Sequence, residues 1–235
     1  MIKKKYKPKS TFFKFSEIER SKNYKIFFHQ GWHNIIILRI EIIKKIDEKN
    51  FLNHYFTKKT DRREKAIIIT KGKVIIKKEK SFKKNLEKYD CLHTNRSLKN
   101  FEIKSKKGSQ IFIILGKEKI SGKKLINFFN FEKSLKKIDL WGGKCVSRVF
   151  NGLKMTLVLF KLKKGFTFYD KGHKNEQITW LIKGKMSFYV KNKKANLVAN
   201  KTSVDIGSYD FHGGRSLGAI GFDAFSPKRS EKRYA

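Results

Sequence analysis

Two cysteines, Cys91 and Cys145, and two prolines, Pro8 and Pro227, are all that this chain of 235 residues contains of either type. The cysteines form no CxxC pair, which excludes a zinc ribbon or a disulfide scaffold and fits a reduced, cytoplasmic protein. With so little proline, glycine and asparagine must punctuate the turns. Acidic residues are also scarce, 20 Asp and Glu against 57 Lys and Arg, for a net charge of +37. Long hydrophobic runs are missing. Runs such as Ile35-Ile36-Ile37-Leu38 and Ile111-Phe112-Ile113-Ile114-Leu115 are strand-sized, and no apolar stretch follows the basic residues 1–9, so neither a membrane span nor a signal peptide is expected. No GxxxxGK[ST] loop, no GxGxxG after a strand and no serine nucleophile elbow occurs, which removes the common nucleotide-binding and hydrolase signatures.

What is present is lysine, isoleucine, asparagine and phenylalanine. The hydrophobic fraction is 39%, with 21 Phe, enough to exclude disorder. The lysines greatly outnumber the arginines and run along the whole chain, a composition that an AT-rich coding sequence supplies. The expectation is therefore non-specific, salt-sensitive nucleic-acid contact only. The apolar runs are short and β-branched: 35–40, 66–70, 74–76, 111–115, 155–162, 178–182, 186–190 and 219–225. Many short strands with Gly and Lys between them predict an all-β sandwich or barrel. Residues 121–139 differ, and Leu125, Phe128, Phe129, Leu135 and Ile138 partly follow a helical spacing, so a loop or short helix is expected there. Ala66 to Val74 and Thr179 to Met186 share a phrase, an apolar strand running into Lys-Gly-Lys and a second strand, the mark of a repeated hairpin. The expected organisation is a basic arm (1–24), a first barrel (25–120), a linker or short helix (121–139) and a second barrel (140–235).

Chemistry is concentrated in Asp170-Lys171-Gly172-His173-Lys174-Asn175-Glu176-Gln177-Ile178, in Tyr209-Asp210-Phe211-His212-Gly213 and in the closing phrase Phe222-Asp223-Ala224-Phe225-Ser226-Pro227-Lys228-Arg229. His173 and Gln177 are an even number of residues apart, so an unbroken strand turns both to one face, where His212 from a distant strand can meet them. Imidazole and amide oxygen suit Fe, Mn, Co, Ni or Zn without choosing among them.

These phrases resemble the cupin superfamily: a Gly, His-x-His, Glu or Gln, an apolar strand into a Gly turn, then one more His on a later strand. More narrowly, His173-Lys174-Asn175-Glu176-Gln177-Ile178 is similar to the second barrel of the bicupin isomerases of bacilysin and anticapsin biosynthesis. There Gln is a ligand and the substrate is a prephenate-derived keto acid. The resemblance covers about 165–230. It implies two tandem double-stranded β-helix (jelly-roll) barrels, a divalent metal on His173, Gln177 and His212, a small anionic substrate and a homodimer. Lys171 and Arg215 are the expected anion-binding residues.

The chain departs from the family where its first His should stand, at Lys171, since an ammonium carries no lone pair. Asp170 is the nearest substitute, but alternation turns it away unless Gly172 breaks the strand. Three outcomes follow: a three-ligand site, a lost site, or a Lys171 ammonium in place of the cation. Glu176 is expected to point out of the barrel. In the first barrel the ligand positions become Lys59, Asp61 and Lys65, with His93 isolated, so that half is expected to be inactive. A metal-assisted, isomerase-like enzyme is the leading reading. The alternatives are a non-catalytic cupin that binds a small molecule or a partner and, third, a polyanion binder.

Overall fold

The structure, a computed structural model, describes residues 10–30, 35–49, 63–78, 82–98, 101–120 and 125–230. Twelve strands belong to the first part of the chain: β1 (Thr11–Lys14), β2 (Ser16–Arg20), β3 (Tyr24–Gln30), β4 (Ile36–Ile42), β5 (Ile46–Lys49), β6 (Arg63–Lys71), β7 (Val74–Lys78), β8 (Phe82–Leu86), β9 (Asp90–Thr94), β10 (Phe101–Ser105), β11 (Gln110–Lys119) and β12 (Ile126–Asn130). Eight follow: β13 (Lys137–Leu140), β14 (Cys145–Asn151), β15 (Thr156–Leu162), β16 (Thr167–Asp170), β17 (Glu176–Val190), β18 (Lys193–Val198), β19 (Thr202–Ile206) and β20 (His212–Ser226). The described residues contain no helix. Of the span 121–139 expected as a loop or short helix, residues 121–124 lie outside the described residues, and over 125–139 the expectation is corrected by β12 and β13, which pair with β9 and β14. Phe128 and Phe129 are β-formers whose period-2 pairing on β9 overrides a partial helical spacing. The arm expected over 1–24 is not all arm either, because β1 adds to the C-terminal sheet along β19 and β2 pairs with β3.

Three sheets make the fold. A seven-stranded sheet, β12-β9-β6-β11-β4-β3-β2, and a four-stranded sheet, β5-β10-β7-β8, form the N-terminal half. A nine-stranded sheet, β1-β19-β17-β20-β15-β14-β13 with β16 on β20 and β18 on β17, forms the C-terminal half.

Period-2 alternation explains the continuous apolar runs. On β4, β6 and β11 one set of side chains (Leu38, Ile40, Ile67, Ile69, Ile111, Ile113) faces the four-stranded sheet. The intervening set (Ile37, Ala66, Ile68, Phe112, Ile114) packs against Leu157, Leu159, Ile178, Trp180, Phe222 and Ala224 of the C-terminal sheet. A sheet buried on both faces has no polar alternation to show. At the centre of this back-to-back contact Trp180 stacks between Phe112 (5.7 Å) and Phe222 (5.5 Å).

The C-terminal sheet folds over on itself. β17 and β20 are 15 residues each, and their pairing shifts register around Gly184. Gly184 and Gly218 both have positive φ, and a Cβ on Gly184 would collide with the Gly218 carbonyl. The irregularity lets each long strand bend. The first part of β17 and the last part of β20 pair with β19 and β15, whereas their other ends pair with β18 and β16. The two layers so formed enclose the cavity described next.

Candidate metal centre

Asp170 ends β16 directly opposite His212, which opens β20. After Asp170 the backbone turns through Gly172, whose φ is +95°. A Cβ at Gly172 would stand 2.7 Å from the Tyr209 carbonyl carbon, so both the conformation and the space require glycine. The Gly172 amide donates to Asp170 Oδ1 at 2.8 Å and ties the carboxylate to the turn. The chain then delivers His173 and, on β17, Gln177. The ligating atoms of Asp170, His173 and His212 all lie within 4.8 Å of one another. Gln177 Oε1 is 3.0 Å from His173 Nε2.

Hydrogen bonds behind these groups fix which atoms face inward. His173 Nδ1 lies 2.9 Å from the Asn175 carbonyl, and His212 Nδ1 lies 2.9 Å from the Asp210 carbonyl. A carbonyl only accepts, so each Nδ1 carries the proton and each Nε2 a lone pair. The Gln177 amide group donates to Thr179 Oγ1 (2.8 Å) and Asp223 Oδ1 (3.0 Å), while the Thr179 hydroxyl donates to the same carboxylate oxygen at 2.6 Å. Turning the amide over would set its oxygen against that carboxylate. Two lone pairs, on His173 Nε2 and Gln177 Oε1, therefore face each other. Protonating His173 would relieve them, but burial, helped by the positive charge of Arg229, pushes its pKa down to about 4. Burial lowers His212 as well. What fits between these groups at neutral pH is a cation. Two imidazole nitrogens, an amide oxygen and a carboxylate form a donor set for a divalent transition metal.

The site opens on a cavity of about 160 Å³. Its polar wall includes Asp170, Gln177, Thr179, His212, Asp223 and Arg229, and its apolar wall includes Val158, Phe160, Phe166, Phe168 and Phe188. Burial raises the Asp223 carboxyl to about 6 against the lowering pull of Thr179, Gln177 and Arg229. Arg229 is only 3% exposed, with its guanidinium 4.8 Å from the Phe225 ring centre and its backbone N–H donating to Thr156 Oγ1 at 2.9 Å.

The structure thus brings His173, Gln177 and His212 together and adds Asp170 through the Gly172 turn. It does not bring in the two residues expected to bind the anion. Lys171 is exposed and Arg215 projects from the outer face of β20 opposite Thr167, and neither lines the cavity. The ammonium of Lys171 consequently stands outside the donor set. Glu176 points away from the cavity, as alternation requires, but is buried at 2% exposure rather than solvated.

In the N-terminal half, Lys59 and Asp61 lie outside the described residues. Lys65 is fully buried, its ammonium donating to the Arg63 (2.8 Å) and Arg96 (3.1 Å) carbonyls. His93 is not isolated, since its Nε2 lies 2.6 Å from Glu64 Oε1. Thr179, Asp223 and Arg229 join the site without having been expected there. Thr179 carried a usable signal, being two residues from Gln177 on one strand. Asp223 is its cross-strand neighbour, which becomes visible only once β17 and β20 are paired.

A folded-over β-sheet with an imidazole, amide and carboxylate donor set in its interior defines a cupin fold carrying a candidate metal centre. Comparison with solved structures supports the fold. The protein Ylba from E. coli, described with the DUF861 family model, superposes with a TM-score of 0.71 at 10% identity, covering 96% of this chain and 94% of that one. AerE from Microcystis aeruginosa gives 0.70 at 13% identity, covering 92% and 97%. A variant of oxalate decarboxylase from Bacillus subtilis gives 0.69 at 10% identity, covering 93% and 78%. No family model and no curated protein sequence matches the chain. At these identities the likeness shows the fold alone.

Proposed function

We propose that the chain is a bicupin, two tandem barrels of which the C-terminal one is a metal-assisted small-molecule enzyme. His173, His212, Gln177 and Asp170 would hold one Fe, Mn, Co, Ni or Zn ion. When bound, such an ion acts as a Lewis acid toward a carbonyl or carboxylate oxygen. The opposed lone pairs of His173 Nε2 and Gln177 Oε1 are the observation that carries this reading. Arg229, rather than Lys171 or Arg215, is the cation placed to receive the carboxylate of a small anionic substrate. A divalent ion beside Arg229 outweighs Asp170 and Asp223 by one positive charge, which a monoanion would balance. The aromatic wall would exclude water from the reacting group, and Asp223, with a pKa of about 6, can hold or release a proton at its carboxylate. Isomerisation of a keto acid or sugar acid is the reaction class that the sequence resemblance supports, and a homodimer is the assembly it implies.

A second reading, a cupin that binds a small molecule without turning it over, is favoured by the small volume and largely apolar wall of the cavity. Metal analysis after loading with Mn or Zn and dialysis tests the shared premise. One equivalent per chain is expected, absent from a His173→Ala/His212→Ala variant. Wild-type protein that takes up no metal would remove the proposal. Turnover of keto acids by the loaded protein, lost in Arg229→Gln with metal retained, separates the enzyme from the binder.

A further inference from the structure

The strands that carry the metal centre inward also present an outward face. In the order β16-β20-β17-β18 the registers align Tyr169, Gly213, Tyr189 and Lys194 in one row. The next row holds Thr167, Arg215, Ser187 and Asn196. Phe211, exposed, precedes the inward His212, and its carbonyl accepts from the Lys191 amide at 3.0 Å. Tyr169 is 59% exposed and Phe211 41% exposed, while Lys171, Lys194 and Arg215 are exposed around them.

Gly213 makes this surface flat. A Cβ there would collide with the Tyr189 hydroxyl and ring, so the Tyr189 ring lies against the sheet where a side chain would otherwise stand. None of the side chains named on this face is acidic. Between Gln177 and Ser226 the acidic residues are Asp205 and Asp210, both buried, and Asp223, which faces the cavity. A four-stranded face with rings in its middle and cations at its edge has the chemistry of a stacking platform for unpaired bases.

We propose that this face docks single-stranded nucleic acid, with bases on Tyr169, Tyr189 and Phe211 and phosphates on Lys171, Lys194 and Arg215. With Lys171, Lys194 and Arg215 on both copies, like charge opposes a second copy on this face, and the same cations favour a polyanion. The rings select among polyanions, since heparin-like chains offer nothing to stack. The flat lie of Tyr189 suits stacking rather than insertion into a membrane.

The test is fluorescence anisotropy with a labelled single strand of about 12 nucleotides and the matched duplex, at about 0.3 M salt, where lysine contacts alone have weakened greatly. The wild type should bind the single strand more tightly than the duplex. Tyr169→Ala/Phe211→Ala should lose roughly tenfold or more in single-strand affinity and leave heparin binding unchanged. Tyr169→Phe, which keeps the ring, should retain binding. Lys83→Gln/Lys84→Gln, which removes exposed charge from β8 in the other half, should change little. Equal affinity for single strand and duplex would overturn the proposal. So would equal losses in the aromatic and the β8 variants, or a preference for anionic vesicles or for self-association over the single strand.

Discussion

The two halves of the molecule place different chemistry at matching cross-strand positions. Aligning Lys71-Gly72 with Lys183-Gly184 sets Lys65 beside Gln177 and Ile67 beside Thr179. In the C-terminal half Thr179 pairs with Asp223 and Gln177 with Phe225, and in the N-terminal half Ile67 pairs with Ile113 and Lys65 with Leu115. One interior keeps a carboxylate, a hydroxyl and an amide around a cavity. At the matching positions the other is filled by Ile67, Ile69, Ile111, Ile113 and their neighbours against the four-stranded sheet. The same pairing geometry thus serves a donor set in one half and a packed core in the other. Only the side chains at a few inward positions decide which.

The comparison can be broken most severely by giving the N-terminal half the residue its partner has. Ile113→Asp would bury a carboxylate among aliphatic side chains without the hydroxyl and amide that serve Asp223. It should cost more than about 4 kcal/mol or prevent folding, read from urea unfolding.

Next in size is the contact that joins the halves. Glu64 is fully buried and accepts from the backbone amides of Leu153 (2.6 Å), Lys154 (2.7 Å) and Met155 (3.1 Å) as well as meeting His93. A side chain on Gly152 would strike that carboxylate. Glu64→Ala strands these buried donors and should lower stability by roughly 3 kcal/mol in the same assay.

A smaller effect depends on pH. His29 is buried between Phe13 (4.6 Å) and Phe15 (6.1 Å), and burial depresses its pKa from the ordinary 6.5 to about 4. Below pH 6.5 the unfolded chain binds a proton that the folded chain refuses. The stability linked to a neutral His29 is thus complete above 6.5, falls as the pH drops toward 4 and levels off below. Comparing pH 7.5 with pH 5, His29→Leu should reduce the acid loss of the wild type by on the order of 1–2 kcal/mol.

The smallest effects are expected outside both interiors. Lys171→Ala and Arg215→Ala should each change stability by less than about 0.5 kcal/mol and leave metal content unaltered. A loss of metal in Lys171→Ala would return that residue to the donor set.

Much of this was legible in the sequence, for identifiable reasons. Short β-branched runs announced an all-β chain, and the even spacing of His173 and Gln177 put both on one face. The two Lys-Gly-Lys phrases, expected as hairpins, are not hairpins: β6 and β7 belong to different sheets, and Lys183-Gly184-Lys185 lies within β17, because each phrase marks a place where the chain bends from one layer to the next instead of turning back on itself. What stayed hidden depended on long-range pairing or on a single backbone angle. Asp170 enters the site only because Gly172 adopts a positive φ, which spacing alone could not fix. Asp223 becomes a neighbour of Thr179 only through β17–β20 register. Arg229 comes after the last strand, where alternation gives no direction. Residues 121–139 misled because phenylalanines that pair on β9 also fall near helical spacing.

The central claim is that two imidazoles, an amide and a carboxylate of the C-terminal half surround one divalent ion. Cobalt titration followed by its visible absorption and X-ray absorption spectra tests it most directly. The account predicts one cobalt per chain with two imidazole ligands, falling to one imidazole in His212→Ala and remaining at two in His93→Ala. Cobalt that binds without imidazole ligands, or with a spectrum indifferent to His212→Ala, would contradict it.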